Sequence, residues 1–151
     1  MLWSRSVIEP PVPPADPRPL AVLVVEDDRL LGRMLTRVLA AEGYEVAHVM
    51  TGREALSRWT EKPADVVLLD LMLPDLDGLD VCRALRGGGQ PEASIIVVSA
   101  RCEASDQERA LEAGAGCFLA KPFQTEELLR LVHARCRDAR PAPRSKGRTG
   151  G

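Results

Sequence analysis

The sequence has few of the residues that build zinc sites or disulfide frameworks. Its four cysteines are irregularly spaced, none belongs to a C-x-x-C pair, and only His48 and His133 could add nitrogen ligands. Structural zinc sites need such closely spaced pairs, so the sequence does not indicate one. The cysteines are therefore expected to be reduced, mostly buried thiols in a cytoplasmic protein. They are Cys82, Cys102, Cys117 and Cys136.

Long hydrophobic runs are also absent. The longest apolar stretches have the length of a β-strand, whereas a membrane-spanning helix needs about 20 mainly apolar residues. The first residues lack the charged start and long apolar stretch of a secretory signal. We therefore expect no membrane insertion and a cytoplasmic location.

The net charge of −2 hides an excess of acidic residues in the central part of the chain. Residues 135–151 carry six basic side chains and one acidic side chain, and the charges of residues 1–19 cancel. Residues 20–134 therefore hold 12 basic and 19 acidic residues. Because an acidic surface repels phosphate backbones, direct nucleic-acid binding by this core is not expected.

Both ends of the chain are predicted to be disordered. Prolines crowd residues 9–19, which excludes a helix or a central strand and predicts an extended arm over residues 1–19. Residues 138–151 are rich in Arg, Pro, Ser and Gly and predict a disordered basic tail. This tail is either a solvated end or an electrostatic arm for nucleic acid or an acidic partner. Residues 20–137 have the size of one domain.

Five short apolar runs alternate with five segments of helical period between these ends. Parallel strands need crossover helices, so five strand–helix repeats predict an α/β fold with a doubly wound parallel sheet covered on both faces. The predicted strands are residues 20–25, 44–49, 66–69, 95–98 and 117–120, and the predicted helices begin near residues 29, 52, 79, 105 and 125.

Caps and apolar faces define the predicted helices more closely. Asp28 is expected to cap the first helix. Two S/T-x-x-E patterns, Thr51 to Glu54 and Ser105 to Glu108, predict capping boxes for the second and fourth helices. Six apolar residues at helical spacing predict one face of the first helix. They are Leu30, Leu31, Met34, Leu35, Val38 and Leu39.

Polar side chains follow four of the predicted strands. Glu26 and Asp27 follow the first strand, Asp70 the third, Ser99 the fourth and Lys121 the fifth. Doubly wound folds bind ligands where the carboxyl ends of the strands meet, so these residues are expected to converge. Clustered carboxylates suit Mg²⁺, and an aspartate can attack a phosphoryl group to form an acyl phosphate. The set therefore predicts phosphoryl transfer to an aspartate.

Four motifs at these strand ends resemble those of the response-regulator receiver family of two-component signalling. They are VLVVEDD at residues 22–28, VVLLDLMLPDLDG at 66–78, VVSA at 97–100 and FLAKPF at 118–123. The resemblance identifies residues 20–137 as a receiver domain and implies the flavodoxin-like strand order 2-1-3-4-5. It also implies that a histidine kinase or a phosphotransfer protein supplies the phosphoryl group.

The resemblance assigns roles to the polar residues. Asp70 matches the phosphorylated aspartate, and Lys121 matches the lysine that contacts the phosphoryl group. Glu26 and Asp27 match the acidic pair that positions Mg²⁺. Asp70 itself and the backbone carbonyl of Met72 complete the implied metal site.

Two further residues match the conformational switch of the family. Ser99 matches the hydroxyl that is drawn to the phosphoryl group, and Phe118 matches the aromatic residue that then moves inward. Phe118 departs from the commoner tyrosine. It therefore keeps the ring but offers no hydroxyl group to a partner.

Two other functions fit parts of the pattern. A haloacid-dehalogenase-type phosphatase also uses a strand-end aspartate with Mg²⁺, but its D-x-D motif needs an acid where Met72 stands. A flavodoxin-like cofactor carrier needs a hydroxyl- and glycine-rich phosphate loop, where Glu26 and Asp27 would repel phosphate. We therefore expect a switch, and no enzyme activity beyond its own phosphoryl transfer and hydrolysis.

The sequence leaves the output of the switch open. The chain is expected to be a single-domain response regulator that controls a protein partner. The alternative is the receiver portion of a DNA-binding transcriptional regulator whose effector domain is absent from the chain. Gly116 and Cys117 stand where winged-helix regulators usually have acidic residues for a dimer contact, so the oligomeric state is left open too.

Overall fold

The computed structural model describes residues 19–88 and 93–139. Of the predicted arm over residues 1–19, residues 1–18 lie outside the described residues, as do residues 140–151 of the predicted tail over 138–151. Residues 138 and 139 belong to the last helix, which therefore ends two residues later than predicted. Five strands alternate with five helices. They are β1 (Ala21–Val25), α1 (Arg29–Ala41), β2 (Glu45–Val49), α2 (Gly52–Glu61), β3 (Val66–Leu69), α3 (Gly78–Arg86), β4 (Ser94–Ser99), α4 (Ala104–Glu112), β5 (Cys117–Ala120) and α5 (Thr125–Ala139).

The strands form one parallel sheet in the order β2-β1-β3-β4-β5. This arrangement confirms the predicted doubly wound α/β fold. Val25, the last residue of β1, pairs with Leu69, the last residue of β3. Leu69 in turn pairs with Val97 of β4, and Ser99 pairs with Ala120 at the end of β5. The register therefore brings the ends of these four strands to the same edge of the sheet.

The sheet has a hydrophobic layer on each side. Leu23 and Val25 of β1 face the layer that contains α2, α3 and α4, whereas Val22 and Val24 face the layer that contains α1 and α5. Complete burial of one such side chain contributes about 1.5–3 kcal/mol. Burial on both sides explains why the strands are continuous apolar runs, as is typical of parallel sheets.

Helix α1 does not bury all of its predicted apolar face. Leu35 and Leu39 are buried, but Leu30 is 77% exposed and Met34 is 38% exposed, so the prediction of a single buried face was wrong for these two residues. The apolar stripe is wider than the part of the helix that contacts the sheet. Gly32, which offers no side chain, lies on the buried side instead.

Caps were predicted for three helices, and those of α1 and α2 are confirmed. The Asp28 carboxylate accepts hydrogen bonds from the N–H groups of Leu30 and Leu31 at the start of α1. The Thr51 hydroxyl caps α2 by accepting the N–H of Glu54 at 3.1 Å, although the Glu54 carboxylate accepts the N–H of Met50, one residue before the expected partner.

Helix α4 begins before the predicted Ser105–Glu108 box. Its cap is Glu103, and the Asp106 carboxylate accepts the N–H of Glu103 at 3.2 Å. The capping box therefore runs from Glu103 to Asp106. Asp106 takes this role because its side chain is almost fully buried and reaches back toward the preceding loop.

None of the helices in the described part of the chain combines the length and the apolarity that crossing a bilayer requires. Cys82 and Cys136 are buried, Cys117 is half-buried and Cys102 is exposed, so the prediction of mostly buried thiols holds for part of the set. Burial raises the pKa of the Cys82 thiol to about 11, which keeps it protonated and unreactive at neutral pH.

Candidate functional site

Three charged residues from distant parts of the chain meet at the carboxyl edge of the sheet. The Lys121 ammonium donates to Glu26 Oε1 at 2.8 Å and to Asp70 Oδ2 at 3.1 Å. Glu26 directly follows β1, Asp70 follows β3 and Lys121 follows β5. The fold therefore brings together three of the residues that the sequence predicted to converge.

Asp27 completes an acidic cluster at this edge. One carboxylate oxygen from each of Glu26, Asp27 and Asp70 lies within 4.8 Å of the others. Glu26 and Asp70 are buried, with 3% and 6% of their surface exposed, whereas Asp27 is exposed. Two buried carboxylates and one facing solvent make an all-oxygen donor set with an open side. This set suits Mg²⁺, which usually keeps several waters when it binds to proteins.

Burial and charge shift the pKa values within the cluster. Burial raises the pKa of Glu26, and the neighbouring Asp70 charge acts in the same direction, while the Lys121 and Asp28 hydrogen bonds offset part of this effect. Burial lowers the pKa of Lys121, but its hydrogen bond to Glu26 and the two negative charges outweigh burial, so the net shift is upward. Lys121 is therefore firmly charged, and Glu26 holds its proton more readily than an exposed glutamate does.

The β3–α3 loop holds Asp70 through its backbone. Asp70 Oδ1 accepts the N–H of Met72 at 3.0 Å, and the Met72 side chain is exposed. Met72 forms an isolated antiparallel bridge with Asp77, whose carboxylate caps α3 by accepting the N–H of Leu79 at 2.8 Å. The loop is thus fixed at both ends. A metal contact from the Met72 carbonyl stays a prediction.

The two predicted switch residues lie on neighbouring strands. Ser99 is fully buried at the end of β4, and its Oγ accepts the N–H of Arg101 at 3.0 Å. Phe118 on β5 is half-buried and packs against the hydrophobic layer of α2, α3 and α4. The Ser99 hydroxyl is therefore bonded to its own loop, and the roles of Ser99 and Phe118 in a switch stay predictions.

Arg101 has a role that the sequence did not indicate. Its guanidinium donates to Asp106 Oδ1 at 3.1 Å, and Asp106 Oδ2 accepts the Glu103 N–H at the start of α4. Hydrogen bonds therefore connect the Ser99 hydroxyl to the first turn of α4 through Arg101 and Asp106. These residues lie close together in the sequence. The sequence does not indicate, however, that Asp106 is buried where both Arg101 and the Glu103 N–H reach it.

The role of Asp75 was also missed, because its partners are more than 20 residues away in the sequence. The Asp75 carboxylate accepts the N–H of Gly52 at 2.8 Å and of Arg53 at 2.9 Å, at the start of α2. Asp75 thereby fastens the β3–α3 loop to the neighbouring helix.

Glu26→Gln is expected to change the pH dependence of stability in metal-free protein. An unfolded glutamate titrates near 4.5, and folding raises the Glu26 pKa above this value. The folded wild type gains stability from this proton at acidic pH and loses it as pH rises through the raised pKa. The melting temperature of the variant minus that of the wild type should become more positive, by a few degrees, from about pH 4 to about pH 7.

Circular dichroism melts in a metal chelator test this expectation, and the exposed Glu108→Gln substitution is the control because it removes a solvated carboxylate. A Glu26→Gln difference that stays constant or falls with pH would contradict the assignment. Added Mg²⁺ should make the difference at pH 7 less positive, because it stabilises the wild type more than the variant.

A doubly wound sheet with acidic side chains and a lysine at its carboxyl edge defines the class of receiver domains that operate in two-component signalling. A family model described as "Response regulator receiver domain" matches residues 22–133. The chain belongs to this family of signalling proteins.

Two curated relatives illustrate the membership. "Response regulator MprA" of Mycolicibacterium vanbaalenii is 44% identical over 123 residues, which are 82% of this chain and 53% of that protein. "DNA-binding response regulator MtrA" of Mycobacterium tuberculosis is 44% identical over 124 residues, or 80% of this chain and 53% of that protein. The chain thus spans about half the length of the curated relatives it matches.

The fold is also similar to a solved structure of a CheY-like receiver domain protein from Methanospirillum hungatei. It superposes with a TM-score of 0.77 at 24% identity, covering 81% of this chain and 97% of that chain. At this identity the likeness establishes the fold alone. It is consistent with the strand order observed here.

Proposed function

We propose that this receiver accepts a phosphoryl group on Asp70, from a histidine kinase, a phosphotransfer protein or a small phosphodonor, with Mg²⁺ as cofactor. The observation that carries the proposal is the shared Lys121 ammonium, which touches both Asp70 and Glu26 while the Asp27 carboxylate lies beside them. A nucleophile, a fixed positive charge and an acidic donor set are the parts that phosphoryl transfer needs.

In the proposed reaction a carboxylate oxygen of Asp70 forms a bond to phosphorus as the bond from phosphorus to the donor atom breaks. The bonding electrons leave with the donor, which is an imidazole nitrogen for phosphohistidine, and Asp70 becomes an acyl phosphate. Glu26, Asp27 and Asp70 would hold Mg²⁺, which supplies positive charge to the phosphoryl oxygens. Lys121, which donates to Asp70 Oδ2, would supply a second positive charge.

The proposed switch begins at Ser99. Its hydroxyl donates to the new phosphoryl group, and the movement changes the contact that its Oγ makes with the Arg101 N–H. Because Arg101 also binds Asp106, the change reaches the capping box at the start of α4. Phe118 is expected to move inward with Ser99, which would alter the surface that α4 and β5 offer to a partner.

The direct test is phosphoryl incorporation into the wild-type chain. Purified protein incubated with a phosphoramidate or acetyl phosphate donor and Mg²⁺ should gain the mass of one phosphoryl group, and hydroxylamine should remove it because the product is an acyl phosphate. Omitting Mg²⁺ or adding a chelator should reduce incorporation at least about tenfold. Intact-mass spectrometry measures this result, and a protein that gains no mass under these conditions would refute the proposal.

The output has two candidate forms. The first is control of a protein partner by the receiver acting alone. The second is the receiver portion of a DNA-binding regulator, which is supported by the name of the MtrA relative and by the half-length coverage of both relatives. Capture of a protein only by the phosphorylated chain would favour the first form. Salt-dependent DNA binding by a longer protein that contains this receiver, and not by the chain itself, would favour the second.

A further inference from the structure

A histidine from β2 fills a space that α1 leaves open. His48 pairs with Val24 in the sheet, and its imidazole lies against Gly32 in the first turns of α1. A Cβ atom placed on Gly32 would fall 2.1 Å from both Cε1 and Nε2 of the ring. Any other residue at position 32 would therefore have to displace the imidazole.

This arrangement carries a cost for the helix. Glycine within a helix is less favourable than alanine. Gly32 has neighbours on both sides within α1, and its N–H makes an ordinary helical bond to the Asp28 carbonyl at 2.9 Å, so no turn or helix end requires a glycine here. The imidazole of His48 is the feature that requires it.

The ring makes one directed contact with the acidic cluster. His48 Nε2 lies 2.9 Å from the carbonyl oxygen of Glu26. A carbonyl oxygen only accepts, so Nε2 carries the hydrogen and donates it. The N–H of Glu26 also donates to the Val49 carbonyl of β2 at 3.1 Å. Strand β2 therefore holds the Glu26 residue at both its N–H and its carbonyl group.

We propose that His48 is a positioning residue for the divalent-cation site, and that Gly32 is present to admit it. The inference rests on the proposed function of the acidic cluster. The Glu26 carbonyl belongs to the peptide group that leads into Asp27, so its orientation determines where the exposed Asp27 carboxylate lies relative to Glu26 and Asp70. Carboxylates within 4.8 Å repel one another. The imidazole hydrogen bond opposes the rotation that would separate them.

The test compares Mg²⁺ dissociation constants, measured by calorimetry, in variants that keep or remove the donated hydrogen bond. His48→Gln retains a nitrogen donor at similar reach and should bind Mg²⁺ nearly as well as the wild type. His48→Leu fills the space without a donor and should weaken binding about tenfold, as is common when a group that orients a metal ligand is lost. Gly32→Ala should weaken binding equally, because it expels the ring without altering it.

A double-mutant cycle separates positioning from packing. In a His48→Ala background, Gly32→Ala should cause no further loss of Mg²⁺ affinity and should raise the melting temperature, since alanine favours the helix. Nitrogen NMR of the His48 ring should show hydrogen on Nε2 in the wild type and lose that signature in Gly32→Ala. Additive effects of Gly32→Ala and His48→Ala on Mg²⁺ affinity would overturn the inference.

The outcomes also distinguish this inference from the proposed function. A wild-type chain that does not bind Mg²⁺ overturns both. A wild-type chain that binds Mg²⁺ and incorporates phosphoryl groups, with His48→Leu showing the same dissociation constant, overturns the positioning role alone. Equal weakening in His48→Gln and His48→Leu would show that ring volume matters and the donated bond does not, which also rejects the proposal.

Discussion

Asp70→Asn is expected to abolish phosphoryl incorporation. The amide keeps the size of the side chain and one oxygen that can accept the Met72 N–H, so the β3–α3 loop should keep its shape. It lacks the negative charge and the nucleophilic oxygen that form an acyl phosphate, so no covalent product can arise at this position. Intact-mass spectrometry after incubation with phosphodonor and Mg²⁺ should show a single unmodified species, against one added phosphoryl group in the wild type.

Asp75→Asn is the matched control for this substitution. Asp75 lies in the same loop, but its carboxylate binds backbone N–H groups at the start of α2 and does not contact Lys121. The control should keep most of the incorporation, although its loop is less firmly attached. Equal labelling of Asp70→Asn and wild type would refute the assignment of Asp70. Loss of labelling only in Asp75→Asn would assign the phosphoryl acceptor to Asp75 instead.

Gly78→Ala is expected to have the largest effect on stability. A Cβ on Gly78 would lie 2.4 Å from the Leu71 Cα and 2.7 Å from the Leu71 carbonyl oxygen, so it would meet backbone atoms that cannot rotate away. The Gly78 N–H also donates to that carbonyl at 3.1 Å. Separating the two segments should cost about 3 kcal/mol, at the upper end of typical overpacking penalties. Denaturant unfolding monitored by circular dichroism measures the loss.

Gly116→Ala provides the comparison, because a Cβ there would meet its nearest atom, in the Arg135 side chain, at an ordinary 3.5 Å. Its free energy of unfolding should stay within about 0.5 kcal/mol of the wild-type value. Gly78→Ala should also lower the rate of phosphoryl incorporation, because the segment it displaces begins one residue after Asp70. Equal free energies of unfolding for the two variants would contradict this prediction, because they would show that the β3–α3 loop can shift at little cost in free energy.

The strands and the convergence at their ends could be predicted because they depend on local patterns and a general rule of topology. The runs over Val66–Leu69 and Cys117–Ala120 end where the apolar residues end. A strand buried on both faces admits only apolar residues, so its limits are visible in the sequence. The meeting of Glu26, Asp70 and Lys121 then follows from parallel strand direction.

The contacts that could not be predicted join segments that are distant in sequence or compete for one helix end. Asp75 binds the start of α2, and His48 binds the Glu26 carbonyl. Both contacts join residues that are far apart in the sequence, and no local sequence pattern indicates either of them. At α4 two capping patterns overlap, and Glu103 prevails over Ser105 because Asp106 is buried and bound by Arg101. On α1, Leu30 and Met34 follow the apolar period yet extend past the edge of the sheet contact.

The position of Lys121 has a consequence for how the protein reaches its folded state. Its ammonium is a counter-ion that is part of the polypeptide, so its local concentration beside Glu26 and Asp70 does not fall on dilution, dialysis or chelation. The two buried carboxylates are therefore never left without a neighbouring cation. Folding of the chain should accordingly proceed in the absence of divalent metal, so that Mg²⁺ regulates reactivity in a domain that is already assembled.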